Sequence, residues 1–225
     1  MNEWIARLFE DPALLRMGHN QRAEDNNLGL GWLYYALGRI VRPRIAVAIG
    51  SYRGFAPLVI ARALRDNAEP GELLFIDPSL VDDFWKDPAR VQAYFAAHGL
   101  ENVRHFPLKT QQFVDTETYA DLDSVGLLFV DGLHTAEQAR FDFDAFRDRL
   151  APRAIVLFHD SMVTRDSALY GADRSYRMTV PAAMEELRRD PEFELFDIPF
   201  GTGVTLLRRR GDSGPLLEGI EGRIK

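Results

Sequence analysis

Four residues capable of acid–base or metal chemistry stand at two abrupt transitions in this chain. The apolar run Leu127–Val130 ends on Asp131 with His134 three residues on, and the run Ile155–Phe158 ends on His159 and Asp160. Asp131, His159 and Asp160 are candidate ligands for a divalent ion. Carboxylates suit Mg²⁺ or Mn²⁺, and imidazole moves the preference towards Mn²⁺, Fe²⁺ or Zn²⁺. His134 is a candidate general base, because imidazole titrates near neutrality. Each residue also has a plain structural alternative: Asp131 as a turn cap, His159 as a packed or internally bonded ring, His134 as a helix-start residue. A second group lies upstream. The run Ile45–Ile49 breaks at Gly50-Ser51-Tyr52-Arg53-Gly54, and Leu73–Ile76 ends at Asp77-Pro78. Glycines in a strand-to-helix turn let backbone amides approach a ligand, and a carboxylate at the next strand end can accept from both hydroxyls of a ribose.

These residues need elements that bring them together. Between Asp131 and His159, Ala136, Ala139, Phe143, Phe146 and Leu150 recur at steps of three and four, one face of a helix. Thr135 with Gln138 predicts a capping box that starts this helix just after His134. The unit is strand–helix–strand, and such crossovers are parallel and right-handed. Parallel strands deliver Asp131, His134, His159 and Asp160 to one rim, where open α/β sheets bind ligands. Strand ends near 49, 76, 108, 130 and 158 recur at roughly the 30-residue period of βαβ units. Val103–Leu108 is read as a near-edge third strand, followed by a short helix around 111–119. His98 and His105 read as structural, and His19 has no assignable role.

Upstream, residues 1–44 read as a helical cap. Trp4, Ile5, Leu8 and Phe9 form one apolar face, and a second helix from about Leu28 to Val41 carries Trp32, Tyr34 and Tyr35. So much aromatic surface is expected to cap the sheet or a partner subunit, which leaves room for a homo-oligomer. Downstream, Ser161–Met178 reads as a polar segment and Thr179–Arg189 as a helix. Residues from Phe193 and from Val204 read as two closely connected, hence antiparallel, strands. Residues 45–208 are read as one domain and 209–225 as a tail, with Arg208, Arg209 and Arg210 at a solvated end.

Composition narrows the class. The 225 residues suffice for one well-buried α/β domain. A net charge of -7 argues against a nucleic-acid partner. The sequence offers no apolar stretch near the roughly 20 residues a membrane span needs and no signal-like N-terminus, so the cytoplasm is the expected location. Cysteine is absent, which removes thiol nucleophiles, disulfides and Cys-type metal sites.

Taken together, the motifs I-A-V-A-I-G-S-Y-R-G, L-L-F-I-D-P, L-L-F-V-D-G-L-H, I-V-L-F-H-D-S and G-T-G-V-T-L-L-R-R resemble class I S-adenosylmethionine-dependent methyltransferases. They look most like the small bacterial O-methyltransferases that tailor macrolide sugars and cephalosporins. The resemblance covers about residues 40–208. It implies a doubly wound, Rossmann-like α/β fold: a seven-stranded sheet with a final antiparallel hairpin. It implies that Gly50, Ser51 and Gly54 pass the methionine part of S-adenosylmethionine, that Asp77 holds its ribose, and that Asp131 borders both cofactor and metal. Asp131, His159 and Asp160 would bind Mg²⁺ or Mn²⁺, and His134 would be the base. Ala48 stands where the family usually has an acidic residue, Ala56-Pro57 where small hydroxyl residues are common, and His159 where a ligand is usually acidic. The expected function is transfer of methyl to a hydroxyl of a small molecule, a sugar or secondary metabolite. The alternative is a non-catalytic cofactor-binding or partner subunit on the same fold.

Overall fold

The computed structural model describes residues 1–16 and 18–211. Three helices, α1 (Asn2–Leu8), α2 (Pro12–Leu15) and α3 (Gly31–Val41), precede the first strand. Then follow β1 (Ile45–Ile49), α4 (Phe55–Arg65), β2 (Glu72–Ile76), α5 (Pro88–Ala97), β3 (Val103–Phe106), α6 (Thr110–Phe113), α7 (Glu117–Ala120) and β4 (Val125–Val130). The chain continues through α8 (Ala136–Arg147), β5 (Leu150–His159), β6 (Arg165–Ser167), β7 (Tyr176–Met178), α9 (Val180–Leu187), β8 (Phe193–Ile198) and β9 (Val204–Arg209).

Seven strands form one sheet in the order β3-β2-β1-β4-β5-β9-β8. The first five are parallel, and β9 runs antiparallel to both β5 and β8. The strand order reverses between β1 and β4, which opens a crevice at their carboxyl ends. The central strands are apolar at every position because both faces are covered. Alternation decides which side chain meets which layer: Ala46 and Ala48 of β1 join one cluster, Val47 and Ile49 the other. The first cluster includes Trp4, Ile5, Leu8, Tyr34 and Phe55, the second Phe143, Phe146, Met184 and Phe193. The N-terminal helices are thus one layer of the core, joined to the sheet itself. Each fully buried large apolar side chain contributes about 1.5–3 kcal/mol, which is why so short a helix as α1 holds its place. Ala48 sits wholly buried in that cluster with Phe75 and Phe129, a setting that would strand a carboxylate without partners.

Several local expectations need correction. Thr135 does cap α8, accepting from the Gln138 amide at 3.2 Å, but the Gln138 side chain donates to Asp142 at 2.7 Å instead of returning to the cap. The capping box is therefore only half made. Strand β5 begins at Leu150, which was read as the end of the helical face, with a register irregularity against β4 between Val125 and Leu127. The helix expected around 111–119 is two short helices, each with its own N-cap. The polar segment after Ser161 contains a hairpin, β6 against β7. Arg208 and Arg209 belong to β9 and are paired: Arg208 with Glu194, Arg209 with Glu192 at 2.8 Å. Arg209 also donates to the carbonyls of Leu150 and Arg147, so the strand runs one residue past the expected boundary. Arg210 lies in the turn that follows, and residues 212–225, most of the expected tail, lie outside the described residues.

Candidate active site

Four strand ends build the rim through backbone hydrogen bonds. The Gly50 amide donates to the Ile76 carbonyl at 2.8 Å, Asp131 to Ile49 at 2.8 Å and Asp77 to Phe106 at 3.0 Å. Gly50 has φ +76, and a Cβ there would fall on the Asp131 carbonyl. Glycine is required at that point because two strand ends meet without a side chain's width between them. Gly54, with φ +86, opens α4 and faces the Trp85 ring, which would lie 2.9 Å from an added Cβ. The Gly50–Gly54 turn is closed by the Gly54 amide donating to Ser51 Oγ at 3.0 Å.

Asp77 faces this turn. Its Oδ2 accepts from the Ser51 amide at 2.8 Å and its Oδ1 from the Ser79 amide at 2.7 Å. An ionised carboxylate has about four acceptor positions, so two amides leave capacity for a ligand's hydroxyls. Burial pushes the Asp77 carboxyl up to about 6 against the opposing pull of those two amides.

Across the switch point lies a tight group of charged and imidazole side chains. Asp131 Oδ1 is 3.0 Å from His134 Nε2 and 3.0 Å from His159 Nδ1. Burial alone would raise the Asp131 carboxyl, but the His159 charge and the bond from His134 overrule it and hold it well below the carboxylate range. His159 is 5% exposed. Burial works against its charge, yet the negative charges of Asp131 and Asp160 raise its pKa. Neither His159 ring nitrogen makes an aligned hydrogen bond among the described residues, despite the short approach to Asp131.

Asp160 is held differently. It adopts φ +54 where the chain leaves β5, Arg165 reaches its Oδ2 at 3.1 Å, and the Thr202 hydroxyl bonds its Oδ1. Ligand atoms of Asp131, His134 and His159 all lie within 4.8 Å of one another. His134 thus joins the expected ligands Asp131 and His159 in a converging set, and Asp160 stays beside it, its oxygens 3.4 Å from His134 Nε2 and 3.6 Å from His159 Nδ1 while Arg165 and Thr202 also engage it.

Three further residues at this floor carried no readable signal. His19 is 1% exposed, stacks on Phe55, lies 4.4 Å from the His159 ring centroid and bonds Tyr34 Oη at 3.0 Å. Burial, with the His159 charge, lowers its pKa to about 3, so it is neutral. Tyr176 of β7 places its hydroxyl 3.4 Å from His134 Nδ1, and Arg165 comes from β6. His134 itself is anchored through its backbone, whose carbonyl accepts from the Thr179 amide at 2.8 Å. His98 and His105 are structural, as expected: His98 ends α5, and His105 approaches the Asp77 carbonyl at 3.1 Å.

The rim and the charged group open on one cavity of about 830 Å³. Gly50, Ser51 and Asp77 line it, as do Asp131, His134 and His159. Arg16, Asn20, Arg165, Tyr170 and Thr202 line it from the N-terminal segment, the hairpin region and the β8–β9 turn. The volume falls within the range of ordinary small-molecule sites. None of the described helices is long and apolar enough to cross a membrane.

A family model described as a methyltransferase domain matches residues 47–161, from β1 to the residue after Asp160. The uncharacterised protein y4gI of Sinorhizobium fredii is 30% identical over 135 residues, which are 59% of this chain and 14% of that protein. The chain thus spans only a small part of that relative. Among solved structures, a Corynebacterium glutamicum protein superposes with a TM-score of 0.65 at 20% identity, covering 92% of this chain and 89% of that one. The O-methyltransferase TomG of Streptomyces achromogenes, involved in tomaymycin synthesis and solved with S-adenosylmethionine, gives 0.59 at 20% identity, covering 93% and 88%.

Proposed function

Because this chain belongs to the methyltransferase-domain family, we propose that it is an S-adenosylmethionine-dependent O-methyltransferase acting on the hydroxyl of a small molecule, a sugar or secondary metabolite. One observation carries this reading: Asp77 with Gly50 and Ser51, and the Asp131–His134 pair, line the same cavity. The first group suits an adenosyl ribose and an amino-acid tail, the second a hydroxyl that must lose its proton. The residues fit the cofactor: the Gly50 turn has no space for a side chain, and the Asp77 carboxylate keeps free acceptor positions.

Held there, S-adenosylmethionine would supply an electrophilic methyl on a sulfonium, with S-adenosylhomocysteine as the leaving group. The protein aligns the hydroxyl and takes its proton. With His134 Nε2–H donating to ionised Asp131, the lone pair of Nδ1 is free to accept that proton. Asp131 fixes this tautomer and stabilises the imidazolium that results, as the carboxylate does in a serine-protease triad. Tyr176 Oη, 3.4 Å from Nδ1, marks where an acceptor hydroxyl would replace a weak contact. Arg165, Tyr170 and Thr202 border the acceptor end.

The divalent-ion reading needs separate treatment. Mg²⁺ demands oxygen ligands, and the converging set here is two imidazoles and one carboxylate. That trio by itself suits Mg²⁺ poorly. It fits an ion of the Mn²⁺, Fe²⁺ or Zn²⁺ class, and the unbonded His159 nitrogens favour this second reading. There Asp131, His134 and His159 would hold the ion, and His134 would be a ligand in place of a base. Calorimetric titration with S-adenosylhomocysteine, followed by transfer of labelled methyl to candidate sugars and phenols, tests the proposal. No heat and no thermal shift at millimolar ligand would refute it.

A further inference from the structure

Trp85 lies in the irregular stretch between β2 and α5, yet it is 2% exposed. Phe75 and Tyr94 meet its ring edge-on at 5.0 Å and 5.5 Å between centroids, and Phe95 lies parallel at 6.0 Å. Packing alone would explain an apolar ring there. It does not explain the indole nitrogen, which donates to the Ser51 carbonyl at 2.9 Å. The Trp85 amide donates to Ser79 Oγ at 2.9 Å, the Ser79 amide to Asp77 Oδ1, and the Ser51 amide to Asp77 Oδ2. The bonds close a ring: Asp77, Ser51, Trp85, Ser79 and back to Asp77. Ser79 holds φ +57 within it, a conformation that costs a non-glycine residue energy and persists only where its surroundings fix it.

A second donor secures the far end of the same turn. Tyr94 Oη donates to the Arg53 carbonyl at 2.8 Å. Outside it, the Arg53 guanidinium lies over the Tyr52 and Phe84 rings and pairs with Asp82 at 2.6 Å. Two carbonyls of the Gly50–Gly54 turn are therefore tied to aromatic side chains of the following βα connection. A glycine-containing turn with φ > 0 at both ends would otherwise be loose, and a loose turn must be ordered each time a ligand binds.

We propose that Trp85 is a positioning residue for the cofactor: its indole N–H fixes the Ser51 peptide and locks the glycine turn to Asp77 as one preorganised half-site. This rests on the cofactor reading above and extends it to a residue outside the cavity lining. The tie acts on binding of the adenosyl ligand and leaves the proton-transfer group, carried on the turn after β4, untouched.

Trp85→Phe keeps most of the ring packing and removes the N–H. The expected result is a roughly tenfold rise in the Kd for S-adenosylhomocysteine, the scale of one lost hydrogen bond. The KM for S-adenosylmethionine should rise in parallel, with kcat and the acceptor KM unchanged. Tyr94→Phe, which removes the second tie, should weaken binding in the same way with little loss of packing. Incorporating 3-benzothienylalanine at position 85, an indole isostere without the N–H, should reproduce the Phe result with the wild-type melting temperature. If that variant binds like wild type, or if Trp85→Phe lowers only the melting temperature, the role is packing and the inference fails. A wild-type protein that binds no S-adenosylhomocysteine would instead refute the cofactor reading itself.

Discussion

Asp77 offers a test in which two pH slopes of opposite sign come from one side chain. Its carboxyl is pushed up to about 6 by burial, from an ordinary value of 3.8. A group raised in this way binds its proton more tightly in the folded protein than in the unfolded chain. Its contribution to ligand-free stability is therefore greatest at low pH and falls as pH rises from about 4 to 6, by at most about 3 kcal/mol at 1.36 kcal/mol per unit. Ligand affinity should run the other way. A ribose diol donates two hydrogen bonds to an ionised carboxylate, and protonation turns one acceptor into a donor. S-adenosylhomocysteine should therefore bind roughly tenfold more weakly at pH 5 than at pH 7, one unit below a pKa near 6. The ligand's own α-carboxyl and α-amino groups titrate outside this window. Asp77→Asn should weaken binding at pH 7 by about 1.5–3 kcal/mol, the worth of hydrogen bonds to a charged group, and should flatten the profile. Calorimetry at half-unit steps from pH 5 to 7.5, on both proteins, reads both effects. A flat wild-type profile, or an Asn variant that keeps the tenfold change, would remove Asp77 from the ribose.

Three other outcomes are expected. His134→Ala should reduce turnover by about 10²–10⁴-fold, the usual worth of a general base, with the Kd for S-adenosylhomocysteine unchanged; near-normal turnover would return His134 to the role of a helix-start residue. The nitrogen-rich set of Asp131, His134 and His159 predicts no Mg²⁺ binding heat at millimolar concentration after chelation; a Mg²⁺ isotherm abolished by Asp131→Asn would overturn that reading. Asp142 is 1% exposed, one of its oxygens has no partner among the described residues, and burial pushes its carboxyl up to about 6. Asp142→Asn should therefore raise the melting temperature at pH 8, where the charged form is penalised by up to about 3 kcal/mol, and change it little at pH 4; equal shifts at both values would show that charge is not the cause.

The two halves of this site were unequally legible, for a physical reason. Gly50, Ser51, Asp77 and Asp131 follow the ends of strands buried on both faces, and Gly54 closes the turn after the first. Such strands read as continuous apolar runs, so the first residue that breaks the run announces the rim. A strand end also fixes position: once β1, β2 and β4 are parallel neighbours, their terminal residues have nowhere else to be. The family departure at Ala48 was equally visible, and its setting among Phe75 and Phe129 gives it a structural meaning. The other half comes from segments with no period to read. His19, upstream of every strand, meets His159 at the end of β5, and its neighbours are polar residues without alternation. Strands β6 and β7 have three residues each, too short for a pattern, although they deliver Arg165 and Tyr176. Trp85 sits in a stretch that reads as loop, where an aromatic signals burial but not its hydrogen bond. Asp160 shows the limit within the legible half: its place at the end of β5 was readable, but its partner Arg165 comes from an unreadable segment and no spacing tied it to Thr202. Those partners hold it with a guanidinium and a hydroxyl while its oxygens stay 3.4 Å from His134 Nε2 and 3.6 Å from His159 Nδ1. Tertiary contact thus brings His134, read from the sequence as a base, in among the candidate ligands.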